Sequence, residues 1–436
     1  MTAPRLRNDA MAWLAPDTHE PPSSPLAWLN RLRAHALERA NELTVPTTRD
    51  EEWRFTDLSP LTRLSFQPAR SAPPLAASDV APFEVPEAAV RLVFVDGVFS
   101  PSLSSAGAPV DGIVVTPLAT AWKTHAAVIE PHLGRHAGFE DNVFAALNTA
   151  FMHDGAAVLI ARGRQAAAPV HLLFISAQPE TASYPRTLVI AEEGAEAVII
   201  EDHVSIGDTV GFSNAVTEIA VAANARIKHV KLQRDNVQAF HIATCSAALA
   251  RDAVLSSYAV TLGGRLSRYD LNVTQQGEGA QCEIDGLTLI AGRQLADTHT
   301  MIDHAAPNGR SRQVNKCIVD GGAHAVFNGK IVVRPGAQLV NSAQESRNLL
   351  LSSRARIDTK PQLEIFADDV KCAHGATVGQ LEAEQVFYLV SRGLSEGMAR
   401  NLLTYAFGAE IIDRIPVPSI VERLEKAVFE HTQVAS

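Results

Sequence analysis

Between residues 156 and 370 the sequence breaks into short β-rich segments separated by turns that resemble one another. The turn residue is an alanine in EEGAEAVI (Ala195), ANARIKHV (Ala225), RDAVLSSY (Ala253) and EGAQCEID (Ala280), at steps of 30, 28 and 27 residues. GGAHAVFN (Ala323), PGAQLVNS (Ala337) and SRARIDTK (Ala355) continue at half-steps of 14 and 18. A period near 28 with half-steps near 14 predicts a coil of two strands per rung, with a tight Gly/Asn corner and a small alanine stacked inside it. That is a parallel β-helix. Each rung covers the apolar face of its neighbour, so only the end rungs need caps, which the flanking helical regions are expected to supply. A large antiparallel sandwich with similar alternation is the competing architecture; a hexapeptide-repeat acyltransferase would need a six-residue period.

The flanks read as helices. SPLAWLNRLRAHALERANEL puts Ser24 at an N-cap, Pro25 at the first helical position, and Leu26, Leu29, Leu32, Ala36, Leu37 and Ala40 on one stripe. DEEWRFTDL (50–58) leads into a Pro/Ala/Ser-rich connector. RLVFVDGVFS (91–100) carries Asp96-Gly97, a type I′ hairpin signal, and FEDNVFAALNTAFMHDG (139–155) is helical. Beyond 377, Val386, Leu389 and Val390 share a helix face, with Arg392 in the last turn and Gly393-Leu394 suiting a C′ stop. A second helix covers roughly 396–414, and Ser419 and Glu422 form a capping box for a third. Three regions follow: 1–155 mostly helical, 156–376 the coil, 377–436 helical.

With 436 residues there is room for two or three compact units. The net charge is -10 with Lys and Arg scattered singly, which argues against nucleic acid and anionic membranes as partners and favours proteins. Cys245, Cys282, Cys317 and Cys372 lie far apart, as in a reducing compartment. The stretch MTAPRLRNDAMAWLAP holds an apolar run of about six residues, too short for a signal sequence, and no run nears the roughly 20 needed to span a bilayer. A soluble, cytoplasmic protein is expected. There is no GxxxxGK[ST], intact GxGxxG or HExxH, so the chain is expected to bind no nucleotide itself. GLSEG (393–397) joins two helices, and its Ser395 is expected to be an N-cap rather than a nucleophile.

DDVKCAHGAT (368–377) is where chemistry is expected. In a strand, residues two apart share a face, so Cys372 and His374 project together while Lys371 and Ala373 point away. Thiolate and imidazole suit iron or zinc, but two ligands fall short of the usual four, so a second chain would complete the set; a buried Cys beside a hydrogen-bonded His is the bland alternative. His299 and His304 in DTHTMIDH are five apart and should face opposite sides. His203, His229, His241 and His324 read as packed or hydrogen-bonded, and the other three cysteines as core fillers.

DTKPQLEIFADDVKCAHGATVGQLEAEQVFYLVSRGL (358–394) resembles the carboxy-terminal signature of the SufB/SufD family of iron–sulfur cluster assembly proteins, as do EEWRFTDL (51–58), the block 299–331 and the run 346–366. Gly375 after the histidine and FYLVSRG (387–393) match the SufD branch better than SufB. The resemblance implies a right-handed parallel β-helix with helical domains at both ends, acting as a non-catalytic scaffold in a SufBCD complex. It implies a SufB-like sister bound through the coil edges, a separate SufC ABC-type ATPase bound through the C-terminal helices, and homodimers when the sister is missing. His374 would ligate a transient iron–sulfur cluster shared with SufB, with Cys372 as the accompanying thiol. For the ATPase contact, Phe387, Tyr388, Arg392 and Gly393 are the expected residues; simple packing and helix-dipole complementation are their bland alternative. The opposing function class, a β-helix polysaccharide lyase, would call for secretion and a groove of clustered acids and calcium ligands, neither visible here.

Overall fold

The alanine period of the sequence becomes two columns of corners. In the computed structural model, which describes residues 20–69, 71–105 and 111–431, one column holds Gly194, Asn224, Asp252, Gly279, Asn308 and Leu339, all at positive φ. Each donates its amide to the rung above, Gly194 to the Ala223 carbonyl at 3.0 Å and so on up to Leu339 with that of Asp369 at 2.7 Å. Left-handed backbone is cheap for Gly, tolerable for Asn and Asp, and costly for other residues, which is why those types recur. The next residue turns inward, and Ala195, Ala225, Ala253 and Ala280 are completely buried. Their carbonyls accept from the rung above, Ala195 from Arg226 at 2.8 Å and Ala225 from Val254 at 2.9 Å, so a side chain larger than methyl would strike the next corner. Ala323 belongs to the opposite column, where its carbonyl accepts from Arg356 at 3.0 Å; the uneven half-steps are alternate corners.

The coil strands between the corners build two sheets in which successive rungs pair in parallel and in register. One runs from Gly155–Ile160 to Arg356–Ile365, the other from Val170–Ser176 to Lys371–Gly379. Parallel pairing throughout the coil excludes the sandwich. Alternation then sends every second side chain into the lumen, where Val158, Leu172, Ile219, Leu249, Leu271 and Ile284 pack as one cluster. The Asp96-Gly97 hairpin forms with both residues at positive φ, and its first strand, Val90–Val95, is recruited as a further parallel neighbour of Val170–Ser176.

The helices cover the flanks of the coil rather than its ends. Ala27–Glu42 and Val143–Phe151 pack through Ala36, Ala40 and Phe144 onto Phe212, Phe240 and Leu266 outside the first sheet. Glu396–Ile412 and Pro418–His431 place Ile411, Ile420 and Leu424 on Val230, Leu287 and Ile318 outside the second. Two caps differ from the sequence reading. The first helix starts at Ala27, because the Ser24 hydroxyl accepts from Leu26 rather than from a later turn. Ser419 lies inside its helix, and its amide and hydroxyl bond Glu87 of the connector at 2.8 and 2.6 Å instead of joining a box with Glu422. A carboxylate from elsewhere reached the positive helix end first.

The ends of the coil are treated unequally. At the start, the first sheet stops at the short antiparallel strand Ile113–Pro117 and the second at Val98–Phe99. At the finish, the ten-residue strand Arg356–Ile365 and the nine-residue strand Lys371–Gly379 are the outermost in their sheets, and no helix lies across them. The expected C-terminal cap is therefore absent among the described residues.

Candidate functional site

The last rung carries the Cys372/His374 pair. Lys371–Gly379 pairs in register with Asn341–Leu350, setting Cys372 over Ser342, His374 over Gln344, Ala376 over Ser346 and Val378 over Asn348. The four lower residues are buried, so all four upper ones face the lumen too. Cys372 packs beside Val340, Leu363 and Val370 at the end of the internal core and is half-buried; burial pushes its thiol above the usual range. His374, one step further along, is exposed at the open mouth. The parity argument thus holds: both side chains share one face, and the face is the lumen.

Below this pair the interior is neutral and polar, although lower rungs are lined with Leu255 and Ile284 in the same two columns. Ser311 and Ser342 hydroxyls meet at 2.6 Å, and His304 Nε2 lies 2.9 Å from Ser311. Gln344 Nε2 donates to Gln313 Oε1 at 2.8 Å, and Gln313 Nε2 to Thr300 Oγ1 at 2.8 Å. Asn348 Nδ2 donates to the Thr377 carbonyl at 2.9 Å, tying the last strand down. Among the described residues no three His, Cys, Asp or Glu side chains converge as a metal-holding group. The mouth therefore offers one thiol and one imidazole, and a tetrahedral metal would need ligands from outside.

The rim suits a protein partner. Phe366 is 61% exposed, Leu339 and Ile365 are exposed at the same corner, and Val378 is exposed at the other end of the last strand. Two unpaired strand edges with apolar side chains form a template for another sheet.

A second exposed patch lies on Ala383–Ser391. No side chain of this helix is buried; Phe387 is 74% and Tyr388 56% exposed, and the Arg392 guanidinium covers the Tyr388 ring at 5.2 Å. Gly393 has φ +98°, its amide bonds the Val390 carbonyl at 3.0 Å, and that of Leu394 bonds Leu389 at 3.3 Å, closing the helix. Ser395 then caps the next helix by accepting from Met398 at 3.2 Å.

The remaining histidines and cysteines are absorbed locally. His304 points inward and His299 outward, where Asp297 and Glu52, outweighing burial, push the His299 imidazole up to about 9. Beside it the Arg268 guanidinium stacks on Trp53 at 4.3 Å and pairs with Asp270 and Asp297, pinning the EEW turn to the first sheet. Cys282 and Cys317 are buried, and burial pushes both thiols up to about 12.

Sequence reasoning did not find the charged group inside the early rungs. Glu201 accepts from Thr217 at 2.9 Å and lies 2.8 Å from His229; Lys231 lies 3.0 Å from His241, which faces Asp235 at 3.2 Å. Despite burial, the bond to His229 holds Glu201 down to about 2, while burial lowers Lys231 to about 8. The available signal was parity: Glu201, His229 and Lys231 fall on inward positions of their strands.

Two family profiles match consecutive stretches of the chain: the SufBD protein N-terminal region over residues 22–172, and the SUF system FeS cluster assembly SufBD core domain over residues 174–407. An iron–sulfur cluster assembly SufBD family protein of Synechocystis is 42% identical over 410 residues, covering 91% of this chain and 89% of that one. The iron–sulfur cluster assembly protein SufD of Escherichia coli is 35% identical over 389 residues, 87% of each chain. The Bacillus subtilis protein of the same name is 26% identical over 415 residues, 92% of this chain and 93% of that one.

Proposed function

The chain belongs to the SufBD family of iron–sulfur cluster assembly proteins, and from that premise we propose that it is the SufD-type scaffold of a SufBCD complex, with His374 ligating iron of a nascent cluster at the interface with a SufB-like sister. The observation that carries this reading is the incomplete ligand pair at an open coil mouth: Cys372 and His374 share the luminal face of an edge strand, inside an apolar rim. The cluster is cargo shared between two chains, since one thiol and one imidazole hold half of a four-ligand set. His374, the more exposed of the two, is the primary ligand, and Cys372 is its companion. The bared helix with Phe387, Tyr388, Arg392 and Gly393 docks the SufC ATPase, whose movement opens and closes the mouth. The carbohydrate-enzyme alternative finds no support in either family match.

Anaerobic co-expression with SufB and SufC, followed by iron and acid-labile sulfide analysis, tests the proposal. His374→Ala should leave the complex assembled and strip most of its iron. An assembled complex with full iron and sulfide would remove His374 from the ligand set. Phe387→Asp should detach SufC without altering cluster ligands.

A further inference from the structure

Gln344 sits directly beneath His374, is 1% exposed, and bonds through its amide nitrogen to the rung below. Its Nε2 donates downward to Gln313, whose own Nε2 donates onward to Thr300, so both amide nitrogens point away from the mouth. Reversing the Gln344 amide alone would set its oxygen against the Gln313 oxygen, a repulsive pairing. A Cβ at Gly329 would fall 2.3 Å from Gln344 Nε2 and 2.7 Å from Phe327 Cζ, so glycine leaves the amide its present place.

The consequence is an orphan. Among the described residues Gln344 Oε1 is buried with no hydrogen-bond partner, a state that favours any donor brought within reach. Register neighbours in parallel strands stand about 4.8 Å apart, and the one above Gln344 is an exposed imidazole that reaches other positions by a rotamer change alone. A histidine that ligates metal through one nitrogen regularly donates its other N–H to a carbonyl, which fixes tautomer and ring angle.

We infer that Gln344 is the positioning residue for His374: its Oε1 accepts the inward imidazole N–H, leaving the lone pair of the other ring nitrogen at the mouth. Gly329 takes part by making space for that amide. Only the consequence for iron rests on the ligand role proposed above; the hydrogen bond stands or falls separately.

The test uses the full chain with 15N-labelled histidine, in which nitrogen shifts report the tautomer of His374, assigned by its loss in His374→Asn. One tautomer should dominate in the native chain. Gln344→Leu should redistribute the two tautomers, and Gln344→Val provides a second acceptor-free variant should leucine not fold. Identical tautomer populations in native and acceptor-free chains overturn the inference. In the co-expressed complex, the acceptor-free variants should hold iron at least about tenfold more weakly. If His374→Ala kept its full cluster, the ligand reading would fall while the tautomer result still decided the bond. If His374→Ala lost its cluster but Gln344→Leu left the tautomer unmoved, the positioning role alone would fall.

Discussion

At Glu201 the lumen of the coil is charged and sealed; at His374 it is neutral and open. Both positions are inward residues of the same sheet, a few rungs apart, produced by the same corner repeat. Around Glu201, rungs above and below supply hydroxyl, imidazole and ammonium partners, so charges survive burial because they are paired. Around His374 there is a rung below and, among the described residues, nothing above. A repeat fold treats its interior and its end differently with no change of rule, because half of each end residue's neighbours are missing. Stability is therefore concentrated in the middle, and the mouth is where inward side chains are left open to another chain.

The largest expected contrast is in stability. Glu201→Ala should cost about 3–5 kcal/mol, since it leaves the His229 and Lys231 groups buried without their carboxylate. His374→Ala should leave the urea midpoint of the isolated chain where it is. Equal losses at both positions would break the comparison.

Acid should sharpen it. Burial, then Lys231, hold His203 and His241 below their ordinary range. Below about pH 6.5 the unfolded chain therefore takes up protons that the coil refuses, and stability falls by up to about 1.4 kcal/mol per pH unit for each. Glu201 and Asp202 are held down to about 2, mainly by His229 and by Arg234 against the opposing effect of burial. Their contribution is complete above the unfolded carboxylate range and is lost as pH falls toward 2. Hydrogen exchange, corrected for its intrinsic pH dependence, should show Glu196–Ser205 and Arg226–Arg234 losing protection between pH 7.5 and 5 by more than Lys371–Gly379 does. A uniform loss would mean that the two regions are not distinct.

Thiol chemistry offers a simpler contrast. One cysteine, Cys372, should react with a disulfide reagent in the native chain, and the other three only after denaturation. More than one fast thiol would show that the rungs below the mouth are not sealed. The smallest effect is expected at the final corner, where Leu339 occupies the left-handed position filled by Asn in two earlier rungs. Leu339→Asn should stabilise the chain by about 1 kcal/mol in urea titration, while trimming the apolar rim.

Much of the site was legible because it depends on parity along one strand. Cys372 and His374 two apart must share a face, and His299 and His304 five apart must not, whatever the surroundings. Direction was not legible: the same parity fits a pair facing solvent or the lumen, and only the buried column of Ser342 and Gln344 decides between them. Gln344 gave no signal of its own, since an isolated glutamine in a β-rich segment is unremarked until its oxygen is found without a partner. The capping box at Ser419 failed for a related reason, because its partner Glu87 lies 332 residues away.

The sequence by itself determined the repeat: corners that only Gly, Asn or Asp take cheaply, alanines with no room to grow, and strands alternating between lumen and flank. These are local constraints, written into a few adjacent residues and repeated. Tertiary structure decided which surfaces the helices would cover, which buried charges would meet, and that the last rung would stay bare. Those outcomes depend on contacts between distant segments, such as Trp53 on Arg268 and Ile420 in the cluster with Leu287, and no local pattern encodes which distant face arrives first.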